Sequence, residues 1–242
     1  MSSRNHIVIT FLAMFCLLLP ADCQAKERQA ESIAGIVASM LKAYGGTAAV
    51  RKVVSVTARG LINEFINGKT GNYARFLERP GMLRIEVMPE QGGEIRILKG
   101  DHGWQSGIPV SALELQSMIY QYSYLDLPMG LVDKELPVTS IRKELYKGQE
   151  AYLLLIEPVG APSLRVLVDA SSRLIVRVAA SFSMGMMGAS ELSTEYGDYR
   201  AVEGVLFPFR LINFAGDMKI SEISLHEIMT NQKIPAALFA SP

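Results

Sequence analysis

Short stretches in which apolar and polar residues alternate recur through most of the chain, from residue 53 to residue 229. In "LRIEV", for example, Leu83, Ile85 and Val87 fall on one side and charged residues fall between them. Turn pairs such as Asn67-Gly68 separate these stretches. Because successive side chains of a strand point to opposite faces, the pattern predicts about ten to twelve antiparallel strands that share one apolar face.

Two segments interrupt the alternation. Residues 27–44 carry apolar side chains at helical spacing before Gly45-Gly46, which predicts an amphipathic helix, and residues 47–53 add one more turn. Residues 108–133 are apolar and aromatic, which predicts a helix over 110–122 and then an irregular segment ending near Pro128. Insertions of this length in a sheet are often lids or plugs.

These elements predict an α+β fold, in which a large, curved antiparallel sheet wraps around helices. A sheet with this many strands tends to curl, and its enclosed face holds side chains or a ligand. Ile220 is out of phase with Ile223 and Leu225, which predicts a bulge near the end of the strand series. The last residues, 231–242, are expected to form an irregular cover.

The N-terminus has the pattern of a targeting segment. An apolar run at 7–20 is too short to span a bilayer comfortably, and Ala25 precedes the charged "KER". We therefore predict a cleaved secretory signal over 1–25 and one domain over 26–242. The alternatives are an uncleaved anchor and a lipid-modified Cys23, which the upstream Pro20 and Asp22 disfavour.

Residue types that carry much of enzyme chemistry are scarce after residue 25. Both cysteines, Cys16 and Cys23, lie in the predicted signal, and only His102 and His226 remain of the histidines. This composition excludes a thiolate metal site or a cysteine nucleophile in the mature domain and argues against a zinc site or a catalytic triad. We expect no cofactor and no metal. With 24 basic and 24 acidic residues, the chain has no positive excess for nucleic acid.

Three carboxylates near one another, Glu191, Glu195 and Asp198, are the remaining candidates for acid–base catalysis. Charged residues on strand faces are usually solvated, and the chain contains no G-x-S-x-G, H-E-x-x-H or phosphate-loop motif. We therefore predict that the protein is not an enzyme.

A loop at 181–190, "SFSMGMMGAS", holds Met184, Met186 and Met187 among small residues. Thioethers bind soft ions such as copper, but usually with histidine or cysteine, and neither is near in sequence. Two interpretations stay open. The loop is either an adaptable apolar rim for a ligand or an ordinary hairpin loop.

Two motifs carry a resemblance to a known family. The stretch "RFLERPGMLRIEVMPEQGGEIRILKGDHGW" is similar to the core motif of the periplasmic lipoprotein carriers LolA and the related LolB receptors, and "YGDYRAVEGVLFPFRL" resembles a late strand pair of the LolA-like group. His102 stands where a glycine is usual. The matching residues are Arg79, Pro80, Gly81, Arg84, Pro89, Asp101 and Trp104.

The resemblance implies an unclosed β-barrel of about eleven strands around an apolar cavity that takes lipoprotein acyl chains. It also implies that Arg79 holds a helical lid. For Trp104 we expect a core position that is compatible with the cavity wall. The insertion is either a core helix and loop or a lid that turns apolar side chains toward a lipid. The side chains in question are Leu115, Met118, Ile119, Tyr122, Leu125 and Leu127, with Tyr120 and Tyr124 suited to a cavity mouth.

Our leading hypothesis is a monomeric periplasmic carrier that shelters acyl chains, or another apolar molecule, during transfer toward the outer membrane. Its partners would be an inner-membrane donor complex and an outer-membrane acceptor. The alternative is a periplasmic regulatory or structural protein that binds a protein partner with the same curved sheet.

Overall fold

The computed structural model describes residues 32–90, 92–133, 135–183 and 188–240. The predicted signal at 1–25 and the methionines Met184, Met186 and Met187 lie outside these residues. Residues 27–31 of the first predicted helix also lie outside them, and the remaining predictions for helices, strands and candidate site residues fall within the described ranges.

The described residues form thirteen strands of one antiparallel sheet, in the order β6-β5-β4-β3-β2-β1-β13-β12-β11-β10-β9-β8-β7. The strands are β1 (Ser55–Glu64), β2 (Lys69–Glu78), β3 (Met82–Pro89), β4 (Glu94–Lys99), β5 (His102–Gln105), β6 (Ile108–Pro109), β7 (Val138–Tyr146), β8 (Gln149–Ile156), β9 (Leu164–Asp169), β10 (Ile175–Ser183), β11 (Ala189–Val202), β12 (Val205–Ala215) and β13 (Met218–Thr230). Strands β6 and β7 are the two edges, so the sheet is not closed.

The predicted α+β class and the large, unclosed antiparallel sheet are confirmed. The expected count of about eleven strands missed β5 and β6, which together contribute only six residues to the sheet. Strands this short are below the length at which alternation can be recognised. The bulge near Ile220 is confirmed as well, because Asn213 pairs with Ser221 and Phe214 pairs with Lys219, which leaves Ile220 without a partner in that ladder.

Within the described ranges, four α-helices accompany the sheet: α1 (Ile33–Ala43), α2 (Thr47–Arg51), α3 (Ala112–Leu125) and α4 (Met129–Val132). The start of α3 is fixed by a capping box between Ser111 and Glu114. The helix predicted over 110–122 in fact runs to Leu125, and the segment after it contains the short α4. Pro128 explains why α3 ends where it does, since proline disfavours the helical conformation of the residue before it.

Helix α3 runs along the inner face of the sheet between its two halves. Gly103 on β5 lets the helix approach closely, because a Cβ there would lie 2.7 Å from a Val110 methyl and 3.0 Å from the Met118 sulfur. On the other side, the Tyr120 hydroxyl donates to the carbonyl of Leu192 on β11 over 3.2 Å. Among the described helices, none combines the length and apolar character needed to cross a membrane.

The C-terminal residues cover the opposite face of the sheet, as predicted for the tail. A short 3-10 turn, Ala236–Phe239, packs on β3 and β4. Phe239 is 2% exposed there, and the Arg84 guanidinium donates to the Leu238 carbonyl over 3.0 Å. The cover therefore protects the outer face at β3 and β4, on the side of the sheet away from α3.

Candidate functional site

A cavity of about 280 Å³ lies between α3 and the inner face of the sheet. Strands from both halves of the sheet contribute to it, because the sheet curls around the helix. Its apolar lining comprises Ile62, Ile66, Tyr73, Tyr120, Tyr124, Leu192, Phe214, Ile220 and Ile223. Its polar lining comprises Glu64, Asn67, Arg96, Ser117, Gln121, Ser193, Thr194, Asn213 and Ser221. The site is therefore amphipathic rather than purely apolar.

The cavity opens beside the turn between β1 and β2. Ile66 lines it and is at the same time 65% exposed, so the cavity reaches solvent at this point. The Ile220 carbonyl accepts a hydrogen bond from the Phe65 N–H over 2.9 Å, which ties the bulge of β13 to the mouth. Phe65 and Met218 are also about half exposed, at 49% and 57%. The mouth thus carries apolar side chains that water does not favour.

An aromatic cluster separates the cavity from the deeper core. The Tyr120 ring packs edge-on against Tyr124 and Phe182, with centroids 5.0 and 5.5 Å away, and Tyr196 packs against Tyr124. The Tyr196 hydroxyl donates to the Tyr124 carbonyl over 3.1 Å. These buried hydroxyls have partners, as buried polar groups require, so the cluster holds α3 in one position.

Arg79 connects the end of β2 to the helices of the insertion. Its side chain is 7% exposed, and its Nε lies 2.8 Å from Oδ1 of Asp126, which is 1% exposed. The geometry of this contact is electrostatic rather than a well-aligned hydrogen bond. The two Nη atoms lie 2.9 Å from Asp133 and 3.2 Å from Glu135. The structure therefore joins Arg79 to carboxylates at and just beyond the ends of α3 and α4.

Asp126 is an unusual carboxylate. Burial raises its pKa to about 7, against the lowering effect of Arg79, and Glu135 raises it further. Its Oδ2 packs closely against the backbone of Gly130, because a Cβ on Gly130 would lie 2.7 Å from that oxygen. Tyr122 is close by, and burial together with the Asp126 charge raises the pKa of its hydroxyl to about 12. Strand β2 and the insertion thus meet in a compact polar contact.

The raised pKa of Asp126 predicts a pH dependence of stability. Between about pH 4 and pH 7 the folded protein holds a proton that the unfolded chain has released, because the folded pKa of about 7 exceeds the ordinary 3.8. The contribution of Asp126 to the free energy of unfolding therefore falls as the pH rises through this window, by at most about 1.4 kcal/mol per pH unit.

Urea unfolding of the wild type and the Asp126→Asn variant, from about pH 5 to pH 8, measures this difference. The asparagine cannot titrate, so the wild type should lose stability relative to the variant as the pH rises. Other shifted carboxylates, such as Glu222 with its pKa of about 2, are common to both proteins and cancel. Parallel curves for the two proteins would contradict the raised pKa.

Of the predicted insertion residues, Tyr120 and Tyr124 line the cavity, whereas Leu115, Met118, Ile119, Tyr122, Leu125 and Leu127 do not. The lining residues of α3 are Ser117, Tyr120, Gln121 and Tyr124, which follow one another at helical spacing. The remaining predicted side chains lie on other faces of the helix, where they are buried or half-buried. Leu115 and Met118 face Gly103, Ile119 faces Gly160, and Leu125 and Leu127 are core residues. These side chains are therefore core residues, and the cavity is lined by other residues of the same helix.

Trp104 lies on the face of the sheet opposite to the cavity. It pairs with Ile97 of β4 in register, whereas the inward-facing pair beside it is Leu98 and Gly103. Its ring stacks on His102 with centroids 6.1 Å apart. Strand alternation thus places Trp104 on the outer face, where it is half-buried, and not among the residues that line the cavity.

The carboxylates considered for catalysis are ion-paired. Glu191 contacts both Arg165 and Arg177, and Glu195 lies 2.9 Å from the Lys147 ammonium. Asp198 pairs with Arg200, which lowers its pKa. Each carboxylate thus forms an ion pair with a nearby lysine or arginine, which is the arrangement expected of charged strand faces.

Two arginines of the inner face, Arg75 and Arg96, were not predicted as site residues from the sequence. Arg96 lines the cavity and donates to the Gln121 amide oxygen over 3.2 Å. Arg75 is only 4% exposed and lies on β2 between Tyr73 and Leu77, both buried. The signal was present in "NYARFLE", where Arg75 shares the phase of the two apolar residues. Asp126, between Leu125 and Leu127, gave a similar signal.

Comparisons with known proteins bear on the fold. No family model and no curated protein matches the chain. Among solved structures, an outer membrane lipoprotein-sorting protein domain from Vibrio parahaemolyticus is similar, with 11% identity and a TM-score of 0.53, over 82% of this chain and 95% of that one. A DUF1329 family protein from Desulfovibrio piger has 12% identity and a TM-score of 0.50, over 86% and 97%.

A LolA superfamily protein from Nitrosomonas europaea, with 13% identity and a TM-score of 0.49, covers 84% of this chain and 96% of its own. Identities this low are informative about the fold alone. The chain has the fold of the lipoprotein-sorting domains, and the resemblance found in its motifs is confirmed at that level.

Proposed function

We propose that this protein is a periplasmic binding protein that shelters the acyl chain of a lipid or lipoprotein under α3. The observation that carries the proposal is the cavity between α3 and the inner face of the sheet, with an apolar mouth at Ile66. The similar domain from Vibrio parahaemolyticus is a lipoprotein-sorting domain, which supports the same class of cargo for this fold.

The size of the cavity bears on how a ligand would enter. At about 280 Å³ it is at the lower end of the range of small-molecule sites, which is roughly 300 to 1,000 Å³. A single chain fits such a volume more readily than the several chains of a lipoprotein. For a larger cargo, α3 has to move and withdraw Tyr120 and Tyr124 from the inner face. The helix would then act as a lid, with its far end tied by Arg79 to Asp126.

Binding of this kind needs no covalent step. Each methylene group buried contributes about 0.8 kcal/mol, so even one chain would be held firmly. Release therefore requires an acceptor with a better site or a movement of α3. We place the protein in the periplasm, where a donor in the inner membrane and an acceptor in the outer membrane would meet this requirement.

Two measurements test the proposal. Organic extraction of the purified protein should yield lipid, and the lipid-free protein should take up a fluorescent acyl probe. A Ser117→Trp variant should take up at least about tenfold less probe, because Ser117 lines the cavity and the indole would fill it. The matched control is Gln116→Trp, one residue along on the exposed side of α3, which should leave uptake unchanged.

A wild-type protein that carries no lipid and takes up no probe would contradict the proposal. That result would favour recognition of a protein partner by the curved sheet. Equal loss of uptake in both tryptophan variants would show that the probe does not enter this cavity.

A further inference from the structure

We infer that the ligand of this cavity is an anionic amphiphile, whose carboxylate or phosphate group is bound by Arg75 and Arg96. The inference rests on the proposed function and names the chemical class of its ligand. It is carried by the buried guanidinium of Arg75, which has no carboxylate partner in the part of the chain that the structure describes.

Arg75 has fewer partners than its burial demands. It is 4% exposed, and among the described residues no carboxylate lies within 4.0 Å of its side chain. Its Nε is buried without a hydrogen-bond acceptor. Its neighbour is the hydroxyl of Tyr73, a residue that lines the cavity. Other buried or half-buried arginines, such as Arg79 and Arg84, each have a carboxylate within 3.0 Å.

A buried charge without a counter-ion is strongly unfavourable, so proteins pair such groups or neutralise them. Arginine does not neutralise, because its pKa remains far above physiological pH. The surroundings of Arg75 do not relieve the charge, since its cross-strand partners are Ala58 on β1 and Ile85 on β3, at 0% and 1% exposure. An anion supplied by a ligand would provide the missing partner.

Arg96 places a second positive charge on the same side of the cavity. Ile85 pairs with Arg75 on one side and with Arg96 on the other, so the two arginines stand two strands apart on the inner face. That separation is about 10 Å at the backbone, which two extended arginine side chains can bridge around one anion. Both charges act on the Tyr73 hydroxyl and lower its pKa against the effect of burial. Arg96 therefore lines the cavity directly, and Arg75 lies beside it at the hydroxyl of Tyr73, which also lines the cavity.

Beside these charges the cavity has an apolar lining. It includes Ile62, Leu192, Phe214 and Ile223, as well as Ile66 at the mouth. Glu94, the carboxylate that contacts Arg96 Nε at 2.7 Å, has a side chain that is 38% exposed, so it compensates Arg96 from the solvent side. An amphiphile with an acidic head and one hydrocarbon chain matches this division. Fatty acids and lipid phosphates share that chemistry.

Calorimetric titration of the lipid-free protein with three probes of equal chain length tests the inference. The probes are decanoate, decyl phosphate and decanol, in phosphate-free buffer at about pH 8, where both acids are ionised. We expect both anions to bind at least about tenfold more tightly than decanol. The anion that binds more tightly distinguishes a fatty acid from a lipid phosphate as the source of the head group.

The Arg75→Met variant should lose about tenfold in affinity for the anions and keep its affinity for decanol. Its urea midpoint should not fall, because methionine replaces an unpaired charge by an apolar side chain. Arg96→Met should weaken anion binding in the same direction and serves as a second variant at a half-exposed site. Arg59→Met removes an exposed arginine that pairs with Glu227. This control should change neither the affinity for the anions nor the affinity for decanol.

Equal affinity of the wild type for all three probes would overturn the inference and leave apolar binding standing. A loss of anion affinity in Arg59→Met as large as in Arg75→Met would overturn it too, since the effect would then come from net charge. If none of the three probes binds, the result would instead contradict the proposed function itself.

Discussion

Replacing Arg79 by methionine is expected to lower the free energy of unfolding by about 3 to 5 kcal/mol at pH 8, because the change leaves a buried carboxylate without its cation. Asp126 is 1% exposed, and the Arg79 guanidinium lies within 3 Å of it. Part of the loss is relieved at lower pH, since Asp126, with a pKa of about 7, then takes up a proton and becomes neutral. The expected loss at pH 6 is therefore smaller than at pH 8.

Local opening should accompany this loss. Arg79 is joined to Asp126, Asp133 and Glu135 around α3 and α4, so the amide protons of these helices should exchange faster in the variant than in the wild type. Urea unfolding and hydrogen exchange measure the two effects separately. Trp104 is a poor reporter of this motion, since it lies on the outer face of the sheet.

Two further variants identify the cause. The double variant Arg79→Met with Asp126→Asn removes both charges, and should recover a large part of the stability lost in the single variant. Arg59→Met, which breaks an exposed ion pair with side chains 50% and 42% exposed, should change stability by less than about 1 kcal/mol. A double variant as unstable as Arg79→Met would show that the guanidinium acts through something other than Asp126.

Replacing Tyr124 by alanine is expected to change stability and ligand affinity in opposite directions. Tyr124 is 4% exposed and lines the cavity, so truncation should lower the free energy of unfolding by about 3 kcal/mol. The same truncation enlarges the cavity beside α3. If acyl chains bind there, the variant should bind a longer chain several-fold more tightly than the wild type.

The matched control is Tyr44→Ala. Tyr44 is 1% exposed and belongs to the end of α1, where its hydroxyl lies 2.9 Å from that of Tyr199. It does not line the described cavity. Its truncation should lower stability by a similar amount without raising affinity. Unfolding curves with and without an acyl probe measure both terms, and equal effects of the probe on the two variants would contradict a binding site at Tyr124.

Local patterns predicted the architecture because they record burial. Alternation along β3 placed Leu83, Ile85 and Val87 inward, and all three are buried. The phase break at Ile220 marked a real bulge, since the strand must insert a residue to keep Ser221 and Ile223 in register. The apolar insertion proved to be a helix inside the sheet. These features depend on residues that are close in sequence. Strands joined by hairpins pair with one another, so the order along the chain also predicts most of the strand order in the sheet.

The cavity itself was decided by tertiary structure. Helix α3 is covered by the sheet on more than one side, so its apolar pattern could not tell which face borders a space and which packs against Gly103. Tyr120 and Tyr124 line the cavity because the sheet curls around that face. The apolar surroundings of Arg75 likewise depend on strand pairing, which places Ala58 of β1 and Ile85 of β3 beside it.

The sequence by itself therefore determined the strands, the helical insertion and the inward side of most strands, since each follows from the spacing of apolar residues along the chain. The tertiary structure decided which groups meet across the sheet. It brought Arg79 to Asp126, left Arg75 without a carboxylate partner among the described residues and turned Trp104 outward. Such contacts depend on register and curvature, which are set by the packing of the whole sheet around α3.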